Sequence, residues 1–479
     1  MAHLAALQHV LALSPIQGAS QVPSGMIRPF EPGTLPDSVS GGADAVAPAL
    51  APMDPGVLDL FHQYIAVFVV AFLMSVLATP VMRRIAVAFG VIDRPSEARK
   101  IHKVPVAYLG GVAVYLGILA GVAYSYLSSI FPALMPAHAA DALPVPISII
   151  AGMTAITLIG VIDDVVGISP RIKIGGQLFA AALLAFDDIG VKVASGLLRP
   201  VGKWLHNEKL VFNFDLPAAI PLFGDHIQLD VVYWAGTAII AIFVIGACNA
   251  SNLIDGLDGL LSGVTAIAMV GLLAIALALG AIDDGKLDAA RIVLCMAVLG
   301  ACLGFLPHNF NPASIFLGDA GSMLLGFVTI VAILSLGDTG KTHLVIAGLL
   351  IYSVPIIDTT LAIIRRKMAG RPLSSADDQH LHHQLKRALG VKGAALAMYG
   401  IGGIFAMLGV AVSAGRGRVI YAIALVVGSF IVVTAIKQAS RARIEAEAAR
   451  SDNRRPSPSI GPATAAAGAK EPAGAPIRG

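Results

Sequence analysis

The sequence predicts an all-α, polytopic integral membrane protein with about 11 transmembrane helices, its N-terminus outside and its C-terminus cytoplasmic. Three observations carry this. The 479 residues are 56% hydrophobic and 13% charged, about half the charge of a soluble domain, with a mean hydropathy of +0.80. Apolar runs of about twenty residues, each long enough to cross a bilayer, recur along the chain. Lysine and arginine collect in alternate loops.

Residues 1–55 are rich in Ala, Pro, Gly and Ser and contain no spanning run. Leu4–Leu13 is weakly apolar but lacks the basic flank of a signal peptide. Met53 stands just before the first span. Residues 1–55 therefore read as a disordered or mis-assigned arm, with 1–52 dispensable. The transmembrane domain covers 56–437, with spans expected over 61–82, 108–130, 146–163, 173–191, 229–249, 257–281, 289–306, 318–337, 342–364, 394–413 and 418–437. Residues 438–479 are Ala/Arg/Glu-rich and then Pro/Ala/Gly-rich, the composition of a disordered cytoplasmic tail.

Orientation follows from the basic residues. The first loop carries Arg83, Arg84, Arg94, Arg99, Lys100 and Lys103, and the ninth carries Arg365, Arg366, Lys367, Arg371, Lys386, Arg387 and Lys392. The second loop has neither Lys nor Arg, so odd-numbered loops face the cytoplasm. The fourth loop holds Lys192, Arg199, Lys203 and Lys209, which weakens the bias without reversing it, and its alternating Val211-Phe212-Asn213-Phe214 predicts a small external hairpin. The net charge of +3 gives no reason to expect a nucleic acid partner. Cys248, Cys295 and Cys302 lie in apolar runs, an odd set with no paired spacing, and read as small core hydrophobes.

Four polar clusters fall on these cytoplasmic loops. Ionisable groups at such depths are functional suspects. Asp163 and Asp164 end the third span. Two adjacent carboxylates at low dielectric repel unless a cation is near, and Lys173 is within reach; a solvated acidic helix end is the bland alternative. Asn252, Asp255 and Asp258 recur every third residue and would share a face of a helix, with Gly256 and Gly259 leaving room for a ligand. Capping accounts for one such residue but not three. Asp319 enters the eighth span between Gly318 and Gly321, as a magnesium ligand or as a helix cap. His380, His382 and His383 lie in a basic loop without the Cys or Glu partners of a zinc site. That favours pyrophosphate binding over zinc, with ordinary surface histidines as the alternative.

Five segments, HKVPVAYLGG (102–111), DDVVGISPRIKIGGQ (163–177), NASNLIDGLDGL (249–260), NFNPASIFLGDAGS (309–322) and DDQHLHHQL (377–385), resemble in content and order those of the bacterial polyprenyl-phosphate N-acetylhexosamine-1-phosphate transferases. The similarity covers about 60–437. It is closest to the undecaprenyl-phosphate N-acetylglucosamine-1-phosphate branch and more distant from the phospho-MurNAc-pentapeptide transferases, the runner-up. Ala107 replaces a common Pro, and Asp378 a common Arg.

The resemblance implies a transferase of the bacterial inner membrane with a cytoplasmic active site. It takes a UDP-N-acetylhexosamine and a polyprenyl phosphate lipid, releases UMP, and uses Mg2+, with Mn2+ as a substitute. A homodimer is one assembly it allows. By position, Asn252 and Asp319 match metal ligands. Asp163, Asp164, Lys173 and Asp255 match catalytic groups around the reacting phosphates. Lys103, Asp258, Asn309 and Phe316 match the nucleotide region, and His380, His382 and His383 the pyrophosphate loop. A phosphate monoester, with a second pKa near ~6, is mostly dianionic at neutral pH. It hardly needs a general base, which favours Asp163 as an organiser and direct in-line attack over a covalent aspartyl-phosphate. The competing class is a secondary transporter, whose acids would lie near the midplane in repeated halves. Here they lie at helix ends, and no internal repeat is visible.

Overall fold

A computed structural model describes residues 56–93, 105–131, 145–220, 224–282, 285–368, 370 and 380–415, with isolated positions between 422 and 440. The expected arm over 1–55, most of the span expected over 418–437, the tail beyond 440 and Lys103 lie outside the described residues.

The fold is mostly helical. Among the described residues, eight helices are long and apolar enough to cross a membrane, and nine spans result if one bent pair counts as a single crossing. The described residues open with α1 (Val57–Ala88) and two short strands, β1 (Ile92–Asp93) and β2 (Val106–Ala107). Then come α2 (Gly110–Ile130), α3 (Ile147–Val166) and α4 (Pro170–Phe186). The amphipathic α5 (Val193–Trp204) leads into the predicted hairpin, β3 (Val211–Ile220) paired antiparallel with β4 (Gly224–Asp230). The remaining helices are α6 (Val231–Ile254), α7 (Leu260–Gly280), α8 (Asp288–Asn309), α9 (Gly318–Ser335), α10 (Thr342–Ile351), α11 (Ser353–Met368) and α12 (Leu381–Ser413).

The centre of the bundle is α9. Its apolar stretch is 89% buried, against 28% for α1 and for α6. After Asp319 this helix carries no charge on any face, the pattern of a helix surrounded by others. Around it pack α6, α3 and α2. The α1–α8 contact is close because Gly300 and Gly304 present backbone to backbone. A side chain at either would meet the main chain of Phe68 or Phe72, the small-residue packing usual between membrane helices. Ser75 Oγ adds an interhelical bond to the carbonyl of Ala301 at 2.8 Å. All three cysteines are free and buried in this apolar interior.

The ninth expected span departs from a straight crossing. Its halves, α10 and α11, are bent by 79° at Tyr352. Pro355 has no N–H for the carbonyl of Ile351, and its ring crowds that carbonyl, so a continuous helix cannot pass. The Tyr352 hydroxyl is instead bonded to Ser251 Oγ on α6. The expected run over 173–191 forms a shorter helix, the 17-residue α4, which begins at Pro170.

At one end, the ends of several helices are tied together. Ala107 of β2 bridges to Ile315 in parallel. The N–H groups of Gly110 and Gly111 donate to the carbonyls of Phe316 and Leu317 at 2.9 and 2.8 Å. The C-termini of α3, α6 and α8 share this end with the N-termini of α9 and α12.

Candidate active site

Asp163 and Asp164 lie in the last turn of α3 and face different partners. Asp163 pairs with the Lys173 ammonium of α4, and its Oδ1 accepts the N–H of Ile168 at 2.8 Å. Asp164 reaches α9, where Oδ1 accepts the N–H of Asp319 at 2.7 Å and Oδ2 that of Ala320 at 3.1 Å. Such N–H groups at a helix N-terminus have no partner within the helix, so a carboxylate from α3 supplies the cap. Gly318 permits it. Its φ is +68°, and an added Cβ would come within 2.8 Å of the Asp164 carboxyl carbon.

Asp319 is therefore not the cap of its own helix, which was the bland reading. It sits in the first turn, and its Oδ2 contacts Lys173. Its Oδ1 accepts from Asn252 Nδ2 at 2.7 Å, and that amide also donates to Ser322 Oγ at 2.9 Å. Asp163, Lys173, Asp319 and Asn252, from α3, α4, α9 and α6, thus form one connected polar group.

The expectation that Asn252, Asp255 and Asp258 share a helix face is corrected. Helix α6 stops at Ile254, Asp255 is its C-cap, and α7 starts only after Gly259 at φ +74°. Residues 255–259 form a non-helical link with a glycine at each side of Leu257-Asp258. Asp258 turns toward the 309–316 segment, accepting from Asn311 Nδ2 at 2.8 Å and the Ala313 N–H at 3.0 Å. Asp255 is half-buried. Burial, then the charges of Asp319, Asp164 and Asp258, push its carboxyl up to about 8.

Asn309 is 3% exposed and fully engaged. Its Oδ1 accepts from the Gly259 N–H at 3.1 Å and Ser262 Oγ at 3.0 Å, and its Nδ2 donates to the Ile315 carbonyl at 3.0 Å. In this geometry Asn309 shapes two loops, which leaves little of it for a ligand. Phe316 packs against Tyr108 with ring centroids 6.1 Å apart, and its N–H donates to the Ala107 carbonyl.

The histidines join the same end. His380 and His382 are 4% and 1% exposed, so the surface-loop reading is corrected for these two. Both direct Nδ1 at Oδ2 of Asp358 on α11, at 3.0 and 3.1 Å. An added Cβ on Gly256 would lie 2.8 Å from His382 Nε2, which sets that ring over the 255–259 link. The His383 ring is 4.3 Å from that of His382. Asp358 was missed in the sequence, although a lone carboxylate within an apolar span is itself a signal.

The residues suit a hard divalent cation. Asn252 and Asp319 offer amide and carboxylate oxygens, the donors that magnesium prefers alongside phosphate and water. Lys173 lies between Asp163 and Asp319, yet burial first, and then the charges of Asp319, Asp164 and Asp258, still push Asp255 up. Further positive charge would relieve that strain.

Residues 146–337 match the glycosyl transferase family 4. The chain is similar to a probable undecaprenyl-phosphate N-acetylglucosaminyl 1-phosphate transferase of Bacillus subtilis, 32% identical over 349 residues, covering 72% of this chain and 84% of that protein. It is similar to a decaprenyl-phosphate N-acetylglucosaminephosphotransferase of Mycolicibacterium smegmatis, 33% identical over 70% of this chain and 78% of that one. A phospho-N-acetylmuramoyl-pentapeptide-transferase of Bacillus cytotoxicus is 30% identical over 66% and 87%.

Proposed function

This chain belongs to glycosyl transferase family 4, and from that premise we propose that it transfers N-acetylhexosamine-1-phosphate, specifically N-acetylglucosamine-1-phosphate, from a UDP-sugar to a polyprenyl phosphate, releasing UMP. The reaction would take place at the cytoplasmic face of the bacterial inner membrane, as the first step of a lipid-linked envelope glycan. Orientation rests on the basic first and ninth loops. The observation that carries the reading is the junction of four helices at Lys173 and Asp319, with His382 packed over Gly256 in the link that follows the helix of Asn252. Such a junction can hold two phosphates close together.

Asn252 and Asp319 would hold Mg2+, with Mn2+ able to substitute. When bound, the ion offsets charge on the phosphoryl oxygens. The protein's own groups do the rest. Lys173 neutralises an oxygen of the transferred phosphate, and Asp163 orients Lys173 through their ion pair. Asp164 sets the position of Asp319 from below. A lipid phosphate already dianionic needs no proton acceptor. Asp163 is engaged by Lys173 and the Ile168 N–H, which suits an organiser and direct in-line displacement. Asp255 lies beside the 256–259 link, where a further carboxylate can adjust to charge arriving with substrate. Asp258 and Asn309 shape the nucleotide region and Phe316 offers it an aromatic face; Lys103 would add a cation there. His380, His382 and His383 would contact the pyrophosphate.

The test offers purified protein a panel of UDP-sugars with polyprenyl phosphate and measures UMP release. Release with UDP-N-acetylglucosamine, dependent on the lipid, is expected. Turnover of UDP-MurNAc-pentapeptide alone would instead select the pentapeptide reaction. Mass determination of the membrane-extracted particle tests the homodimer.

A further inference from the structure

Helix α9 carries Asp319 in its first turn, and its 18 residues rise about 27 Å, close to the hydrocarbon thickness of a bilayer, about 30 Å. Its other end, at Ser335, therefore lies near the opposite membrane surface. Helix α5 is fastened there. The Thr342 hydroxyl, where α10 begins a short turn after α9, donates to the Val193 carbonyl at 2.8 Å. A side chain at Gly196 would run into Thr342. Past the C-terminus of α5, the Leu210 carbonyl accepts the N–H of Val231, the first residue of α6, at 3.1 Å. The chain has two tryptophans, and both stand at this level. Trp204 ends α5 and is 78% exposed, and Trp234 lies in the first turn of α6 and is 61% exposed. Exposed tryptophans at helix ends mark a membrane–water interface.

On α5, Leu197, Val201 and Trp204 recur at i, i+4 and i+7 and so share one face. All three are exposed. Arg199 and Lys203, one turn apart, fall on the opposite side of the helix. Both are exposed, and neither has a carboxylate partner among the described residues. Lys192, just before the helix, differs in being paired with Asp338 at 3.4 Å. The folded chain thus leaves an apolar stripe and two unpaired cations open on one short helix. Water does not favour the stripe. A second copy of the chain seated on it would leave the cations unpaired. An anionic phospholipid satisfies both, its acyl chains meeting the stripe and its phosphate the cations, as for amphipathic helices that lie in the plane of the interface.

We propose that α5 is an interfacial helix that binds anionic phospholipid at the membrane surface opposite the active site. Leu197, Val201 and Trp204 enter the acyl chains, and Arg199 and Lys203 reach the head-group phosphates. On the orientation given above this is the outer leaflet. Nothing in this surface depends on which sugar nucleotide the chain uses, because Asp319 lies at the other end of α9.

Trp234→Phe leaves Trp204 as the only tryptophan. Its fluorescence is measured in vesicles of an equimolar mixture of one anionic and one zwitterionic phospholipid, with bromine on the chains of one or the other. Bromine quenches only rings in near contact. Both brominated lipids should quench Trp204, and the anionic one about twofold or more strongly, because basic side chains near the surface enrich anionic lipid. Arg199→Gln/Lys203→Gln should bring the two to parity while leaving the quenching in place. Molar salt should do the same with both cations intact, since surface charges are then screened. Equal quenching by the two lipids at low salt, with Arg199 and Lys203 present, overturns the head-group assignment. So does a difference that survives molar salt or the double substitution. Absence of quenching shows that the apolar stripe does not meet lipid. Quenching that appears only as the protein is diluted into lipid identifies a second copy as the occupant. Either of these results overturns the proposal.

Discussion

The carboxylate of Asp164 closes the N-terminus of the helix that carries Asp319. Its two oxygens take the N–H groups of Asp319 and Ala320 at 2.7 and 3.1 Å. Two acids in different spans are thereby related through backbone, not through a shared ion. The paired aspartates of α3 divide the work: Asp163 sets Lys173, and Asp164 sets the start of α9.

This relation separates two substitutions. Asp164→Ala leaves two N–H groups unpaired at a half-buried helix end, each costing about 1–3 kcal/mol. The unfolding temperature in detergent should drop by several degrees. Asp164→Asn keeps one acceptor and should recover part of that loss. Transfer should fall in both, because Asp319 shifts with its helix. An Asp164→Ala protein as stable as wild type would remove the capping role.

Asn309→Ala should cost stability, and Asn309→Asp should cost at least as much at neutral pH. Aspartate retains the acceptor for Gly259 and Ser262 but turns its second oxygen toward the Ile315 carbonyl, acceptor against acceptor in a buried site. Alanine abandons all three partners inside a buried site. Thermal unfolding and KM for the UDP-sugar measured together check this. If alanine alters KM with no cost in stability, Asn309 contacts the nucleotide directly.

Much of this architecture was legible because lipid constrains sequence so strongly. A crossing helix needs about twenty apolar residues, and Asp163-Asp164, Asp319 and the histidines interrupt the pattern visibly. The reach of Lys173 to the paired aspartates follows from short spacing. The rest depends on tertiary contacts. Nothing local tells that Asp164 will bond to a backbone 155 residues away, or that α6 ends at Ile254 so that Asp258 leaves the face of Asn252. Asp358 escaped notice because it stands alone, with its histidine partners more than twenty residues later. Pro355 marks the bend of the ninth span, but the span expected over 342–364 passed through it as a single crossing. The buried Asp338 likewise has a partner that local spacing does not reveal, Lys192 at 3.4 Å.

Asp255 carries a pH signature. Burial, and then the neighbouring carboxylates, move its carboxyl from the ordinary 3.8 up to about 8 in the folded chain. A raised folded value means that the unfolded chain releases this proton first. The stability it contributes is complete below about pH 4 and is lost as pH climbs through about 8. In EDTA the unfolding temperature should therefore decline between about pH 5 and pH 9. Asp255→Asn should flatten this decline, and Mg2+ should do so too, because a cation favours the ionised form. A decline unchanged by either would place its origin elsewhere.

Asp319→Asn is the sharpest test of the metal assignment. Asparagine keeps the size of the side chain, and the cap of α9 is untouched because Asp164 provides it through the backbone. The charge that faces Lys173 and Asn252 is lost. If Asp319 holds magnesium, the variant should insert and unfold much like wild type yet lose transfer by orders of magnitude, as when stabilisation of phosphoryl charge is removed. Excess Mg2+ should restore part of it. Asp187, exposed at the far end of α4, serves as the control, and Asp187→Asn should be close to silent. Should Asp319→Asn turn over at the wild-type rate with the wild-type Mg2+ requirement, the carboxylate is no metal ligand. Its role then reduces to an ion pair that steadies Lys173.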